Sequence, residues 1–274
     1  MFIPITATLA LADPCPPTYT PIATRPLLIL VGVTGVGKST TIAALPAAGL
    51  QFTLLPDRRE LTDRLMIEYL QRRNGETVQP VTDRTARFAY TRAYRELHPG
   101  GMADALASLS IHQEATGLLL FDGLRGASEV QAAAQRLPNA CFAVLDAPNF
   151  VRVQRLLKRN DAFDQATVAS TLPTAPQGDS LASQTGLTLD DLLTPTQSEY
   201  FLTLLARGEL TLTDLQAKLK IVLEERRSYD PAAAIAMLQQ VAPDRTYVID
   251  TTTHSPNQAA MAIAAFTRGY HAHH

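Results

Sequence analysis

The sequence predicts an α/β fold in which a parallel five-stranded sheet is flanked by helices. Short, continuous apolar runs such as LLILV at 27–31 and CFAVL at 141–145 are the mark of strands buried on both faces. Stretches of helical period alternate with those runs along the chain. The 274 residues are 46% hydrophobic and 18% charged, which excludes a disordered chain, a collagen-like repeat or a coiled coil and leaves one large domain, or one domain with a substantial insertion.

The first 26 residues read as an arm. Residues 2–12 are apolar but lack the basic flank of a secretory leader, and Pro14, Pro16, Pro17, Pro21 and Pro26 make the rest extended and irregular. The first strand is 27–31; a helix at 39–45 stops before Pro46, and a second strand at 51–55 ends at Pro56. Helices at 58–73 and 83–97 are closed by Asn74-Gly75 and Pro99-Gly100-Gly101. A helix at 102–114 leads to the third strand, 117–121 (GLLLF); helix 128–137 and the fourth strand, 141–145, follow. The helix at 148–159 has proline in its first position. Residues 160–186 are rich in Ser, Thr, Pro, Gly and Asp and read as a lid loop. Helical stretches at 187–206, 210–227 and 231–241, the last capped by Asp230, make a helical insertion over 187–242. The segment 243–270 supplies the fifth strand, 246–249, and a closing helix from Pro256 to about residue 268, completing the core begun at 27–164. In such a sheet, ligands sit beyond the carboxyl ends of the strands.

Charge narrows the partners. A formal net charge of −2 supplies no global field for nucleic acid or an anionic membrane, so any polyanion site is local. No stretch approaches the roughly 18 uninterrupted apolar residues that span a bilayer. Cys15 and Cys141 cannot build a disulfide framework, and Cys141 lies in an apolar run; a reducing, cytoplasmic setting is expected. The tail with His271, His273 and His274 reads as a frayed end rather than a metal site.

The chemistry is concentrated after the first strand, in Gly32-Val33-Thr34-Gly35-Val36-Gly37-Lys38-Ser39-Thr40, which satisfies G-x-x-x-x-G-K-[ST] between a strand and a helix. Glycines let the backbone N–H groups turn inward onto phosphate oxygens, and the helix aims its positive end at the same place. Gly32, Thr34, Gly35, Val36, Gly37, Lys38, Ser39 and Thr40 are therefore the expected contacts of a nucleoside triphosphate, with Lys38 on the β- and γ-phosphates, the Ser39 hydroxyl on Mg²⁺ and Thr40 within reach of the α-phosphate. Only four lysines occur in the chain, Lys38, Lys158, Lys218 and Lys220. The loop marks the three-layer P-loop NTPase version of the predicted fold.

Asp122 follows the third strand directly, where a carboxylate beside the loop is a second Mg²⁺ ligand. Its context, Asp122-Gly123-Leu124-Arg125-Gly126, resembles the strand-end turn of the nucleoside-monophosphate kinases and their relatives. The segment AVLDAPNFVRVQRLLKRND resembles their strand, helix and lid entrance, and Arg155 and Arg159 share one helix face at i and i+4. The resemblance implies that both arginines close onto the migrating phosphoryl group, that Arg125 touches the acceptor, that Asp161 and Asp164 echo an acidic pair beyond them, and that the turn after the last strand lies against the base. The rival for the two arginines is a solvated helix end complementing the dipole. The helical block has no counterpart in that resemblance.

On the acceptor side, 57–101, Asp57 is either a general base for an acceptor hydroxyl or the N-cap of the helix at 58–73, and the two roles are compatible. Arg58 and Arg59 would hold an anionic acceptor. At about 100° per residue, Arg84, Arg87, Arg92 and Arg95 fall on one face, either lining a cleft or forming a solvated stripe. The expected activity is Mg²⁺-ATP-dependent phosphoryl transfer to a small molecule or a nucleotide. The alternative is a nucleotide-gated module that engages a protein partner through 187–242. ATP and GTP are not distinguished by these residues.

Overall fold

The computed structural model describes residues 2–12, 14–158 and 180–273. It divides into two compact units, one of Met1–Gly32, Gly37–Asp146 and Asp230–His274, the other of Val33–Val36 and Ala147–Tyr229.

The first unit is built on a parallel sheet of β4 (Leu27–Val31), β5 (Thr53–Leu54), β7 (Leu119–Leu124), β8 (Ala140–Asp146) and β9 (Thr246–Asp250) in the order β5-β7-β4-β8-β9. All five residues of β4 are buried, as a central strand covered on both faces requires. One layer of helices comprises α1 (Lys38–Ala44) and α12 (Pro256–His273), which pack on each other; α12 also packs on β8 and β9. Another comprises α5 (Met102–Ala107), α6 (Ala127–Arg136) and α11 (Pro231–Val241), in which α6 packs on both others. Phe121 and Phe142 are fully buried in this core, each contributing roughly 1.5–3 kcal/mol of apolar burial. The segment expected on the acceptor side is helical from Arg58 to Arg73 as its pattern predicts: α2 (Arg58–Leu61) and α3 (Glu68–Arg73) flank a wider π turn at Thr62–Ile67, and α4 (Arg84–Leu97) packs on that turn.

The N-terminal arm differs from expectation. It forms β1 (Phe2–Pro4), β2 (Leu9–Ala12) and β3 (Tyr19–Pro21), and the helix expected at 102–114 ends at Ala107 and gives way to β6 (Leu109–His112). These four strands make an antiparallel sheet, β1-β2-β6-β3, whose Leu9, Leu109 and Ile111 join the main core. Burial of Leu9, Leu109 and Ile111 together with strand pairing overrides the irregular reading of a proline-rich arm.

The second unit holds α7 (Asn149–Leu157), α8 (Leu181–Thr185), α9 (Pro195–Ala206) and α10 (Leu212–Ser228) around Val153, Leu156, Phe201, Leu215, Leu219 and Val222. Thr194 and Gln197 form a reciprocal capping box that starts α9. Of the expected insertion 187–242, α11 belongs to the first unit. The lid loop expected at 160–186 lies outside the described residues as far as 179, together with Arg159, Asp161 and Asp164.

Candidate functional site

The G-x-x-x-x-G-K-S loop begins where β4 ends, at the centre of the parallel sheet, with β7 on one side and β8 on the other. That is the point at which the order of strands reverses, where an open α/β sheet leaves a crevice at its carboxyl edge. The Gly32 N–H donates to the Leu124 carbonyl at 3.2 Å, tying the loop's first residue to the end of β7. The register of β4 on β7 shifts between Leu30 and Val31, which face Asp122 and Leu124 and leave Gly123 unpaired. A Cβ on Gly123 would lie 2.3 Å from the buried Phe121 ring, so glycine is what permits this bulge.

The bulge sets Asp122 beside the loop's lysine. Lys38 Nζ donates to the Gly32 carbonyl at 2.7 Å and stands 3.6 Å from Asp122 Oδ1. That oxygen is buried and, apart from the Lys38 ammonium, has no hydrogen-bond partner among the described residues. Burial pushes the Asp122 carboxyl above its ordinary pKa, against the opposing pull of Lys38 and Arg125; Asp57 is near enough to add to the rise. Ser39 and Thr40 are exposed on the first turn of α1, and the Thr40 hydroxyl donates to the Gly37 carbonyl at 2.8 Å.

The residues expected on the acceptor side separate in their surroundings. Asp57 is exposed and caps α2, accepting the Glu60 N–H at 2.8 Å. Arg58 makes a two-pronged ion pair with Glu129, at 2.8 and 2.6 Å, and also donates to the Gly123 carbonyl. Glu129 is buried in the first turn of α6, where it also accepts the Arg125 N–H at 3.2 Å. Burial would raise its pKa, but the Arg58 guanidinium and its hydrogen bonds, with the help of Arg125, outweigh that and hold it below the ordinary value. Arg59 is exposed and Arg125 half-buried. In the arginine stripe, Arg87 pairs with Asp63 and donates to the Val81 carbonyl, and Arg95 Nε donates to the Thr91 carbonyl of its own helix.

In the second unit, the loop apex Val33–Val36 is held by α7 and α10. Arg152, only 2% exposed, donates through Nε to the Thr34 carbonyl at 2.8 Å, through Nη1 to Asn149 Oδ1 at 3.0 Å and through Nη2 to Glu225 Oε2 at 2.6 Å. Glu225 also accepts the Thr34 N–H at 2.9 Å and its hydroxyl at 2.6 Å. Arg155 Nη1 donates to the Val36 carbonyl at 3.1 Å and to the Gly35 carbonyl at 3.4 Å. Gly35 has φ +86°, and a Cβ there would lie 3.1 Å from both the Cβ and the carbonyl oxygen of Arg152, so both its backbone and its surroundings demand glycine.

Sequence reasoning did not find Arg152, Glu225 or Glu129. Arg152 lies three residues before Arg155 on one helix face, a signal available in the spacing. Glu225 lies 191 residues from Thr34, and no local pattern announces such a contact.

No protein-family model matches the chain, and no curated protein matches it. Among solved structures it is similar to a gluconokinase from Sinorhizobium meliloti 1021, at 14% identity over 93% of this chain and 100% of that one, with a TM-score of 0.35. It is also similar to TT1252 from Thermus thermophilus, at 19% identity over 73% of this chain and 97% of that one, with a TM-score of 0.33. The fold stands on its own sheet and loop: a five-stranded parallel sheet between helices, with G-x-x-x-x-G-K-S leaving the central strand for a helix, is the three-layer P-loop NTPase fold.

Proposed function

We propose that the chain is a Mg²⁺-ATP-dependent phosphotransferase acting on a small molecule or a nucleotide. The observation that carries this reading is the placement of Lys38 over the loop, one contact from the Gly32 carbonyl and one from the strand-end carboxylate Asp122. An ammonium held there would meet the β- and γ-phosphates as a point charge. Gly32, Thr34, Gly35, Val36, Gly37 and Thr40 would form the rest of the cradle.

Asp122 Oδ1, a buried atom that faces the Lys38 ammonium at 3.6 Å and makes no hydrogen bond among the described residues, fits a metal ligand, since such a carboxylate oxygen gains from a cation. Asp122 and the exposed Ser39 hydroxyl would hold Mg²⁺, which when bound would neutralise charge on the phosphates. Arg155 supports the loop through its carbonyls, and Arg159 would complete the positive charge around the moving group. The acceptor would be met by Asp57, Arg59 and Arg125; Arg58 would act through Glu129, stiffening the turn that carries Asp122. For a hydroxyl acceptor, Asp57 would take the proton; a phosphate acceptor needs no such base.

A coupled assay of ADP release tests the proposal, run against nucleoside monophosphates, nucleosides, sugars and small alcohols. Acceptor-dependent release well above background hydrolysis is expected. Tight nucleotide binding with only slow, acceptor-independent hydrolysis would replace the proposal with a second reading, a nucleotide-gated module for a protein partner. The contact of Glu225 in α10 with Thr34, both within the second unit, favours that reading, because it puts a residue of the glycine-rich loop directly on the helical block.

A further inference from the structure

In a trans peptide the C=O and the following N–H point in opposite directions. The carbonyls of Thr34, Gly35 and Val36 are all taken by guanidinium groups of α7, the first by Arg152 and the other two by Arg155. The N–H groups of Gly35, Val36 and Gly37 are therefore turned away from those arginines, three in succession, as a nest for an anion requires. The peptide before them is fixed as well, since the Thr34 N–H donates to Glu225.

Glu225 does two things in this arrangement. It gives the buried Arg152 a counter-charge at 2.6 Å, and it holds Thr34 at both backbone and hydroxyl. A buried guanidinium without that carboxylate would be costly, and Arg152 could not stay on the Thr34 carbonyl. Because α10 carries Glu225 and α7 carries Arg152, the loop's shape depends on the packing of two helices far from it in sequence.

We infer that Arg152 and Glu225 are positioning residues that set the phosphate loop in its anion-binding conformation before any ligand arrives. Both residues belong to the same unit as the loop apex Val33–Val36 that they hold. The inference rests on the proposed function in one respect, that the anion is a polyphosphate chain. Pre-organisation of this kind acts on affinity: if the competent shape of the loop falls to about a tenth of the population, apparent affinity falls about tenfold.

The test uses the full chain and the double variant Arg152→Met with Glu225→Leu, since replacing both members of a buried pair by apolar residues of similar size commonly preserves stability. Two quantities are read: calorimetric affinity for inorganic tripolyphosphate with magnesium, and amide exchange at residues 35–37 by nuclear magnetic resonance without ligand. The expected result is a melting temperature close to wild type, affinity lower by about tenfold or more, and faster exchange confined to the loop. Thr34→Val, which removes the hydroxyl bond to Glu225 and leaves the buried ion pair intact, should fall between the two, and serves as the test if the double variant does not fold. Unchanged affinity, or unchanged exchange at the loop amides, overturns the inference. If the wild type itself binds no tripolyphosphate, the proposed function fails, and the exchange measurement alone decides whether the two residues hold the loop.

Discussion

Lys38 Nζ stands 3.6 Å from Asp122 Oδ1, a buried oxygen for which it is the nearest counter-charge among the described residues. With the folded pKa of Asp122 raised, chiefly by burial, the folded state binds the extra proton between the ordinary 3.8 and the raised value. Asp122 thus detracts from stability at neutral pH, and this loss is relieved as pH falls through the raised pKa. Asp122→Asn is expected to melt at or above the wild-type temperature at pH 7 while losing magnesium-dependent nucleotide binding. Calorimetric melting and titration with Mg²⁺-ATP check both halves; a variant that binds Mg²⁺-ATP as tightly as wild type would remove Asp122 from the metal role.

Glu129 behaves with the opposite sign. Its pKa is held low, so the stability it shares with Arg58 is present above the ordinary value of 4.5 and is lost as pH falls through the folded pKa. Glu129→Ala leaves the partly buried Arg58 without its partner and should cost about 3 kcal/mol at pH 7. Urea unfolding at pH 7 and at progressively lower pH should show the gap between wild type and variant narrowing below pH 4.5.

Gly35→Ala forces a side chain into a left-handed backbone against Arg152. A destabilisation of about 1–3 kcal/mol is expected, with a loss of nucleotide affinity beyond what the lower stability explains. Parallel denaturant and binding curves would show it; an alanine variant with wild-type affinity would mean that the loop tolerates reshaping at its apex.

Asn caps helices about as well as Asp, so Asp57→Asn should leave the melting temperature within about a degree of wild type. Turnover then discriminates the acceptor. A hydroxyl acceptor predicts a kcat lower by about two orders of magnitude or more, a phosphate acceptor predicts kcat nearly unchanged, and steady-state kinetics on the acceptor found by the ADP screen separates them.

Burial pushes the Cys141 thiol up to about 12, whereas Cys15 is exposed. Native alkylation with iodoacetamide at pH 8 should therefore modify Cys15 alone, and Cys141 only after unfolding. Mass spectrometry of the two peptides reads this directly.

The parallel sheet was legible because runs such as LLILV have one physical use, burial on both faces, and the loop was legible because its glycines and lysine sit between a strand and a helix. The antiparallel sheet was not. LALA at 9–12 and LSIH at 109–112 are too short for period alone to separate strand from helix, and they become strands by pairing with each other. At the site, Lys38 and Asp122 could be read because each follows a strand directly. Arg58 could not be read fully: a guanidinium beside a predicted cleft looks the same in sequence whether it meets an acceptor or Glu129, 71 residues later. The same holds for Glu225, whose meaning depends on where α10 packs.

The pairing of β2 with β6 has a kinetic corollary. During synthesis, Leu9 emerges about 100 residues ahead of its partner Ile111, so this sheet cannot close until the ribosome has produced β4 and the loop after it. Contacts so distant along the chain make closure slow, and an early β2 is an uncovered apolar edge in the meantime. Refolding from denaturant should accordingly show the N-terminal strands gaining protection late, after the parallel core, and truncated nascent chains ending before residue 109 should be the species most prone to aggregate.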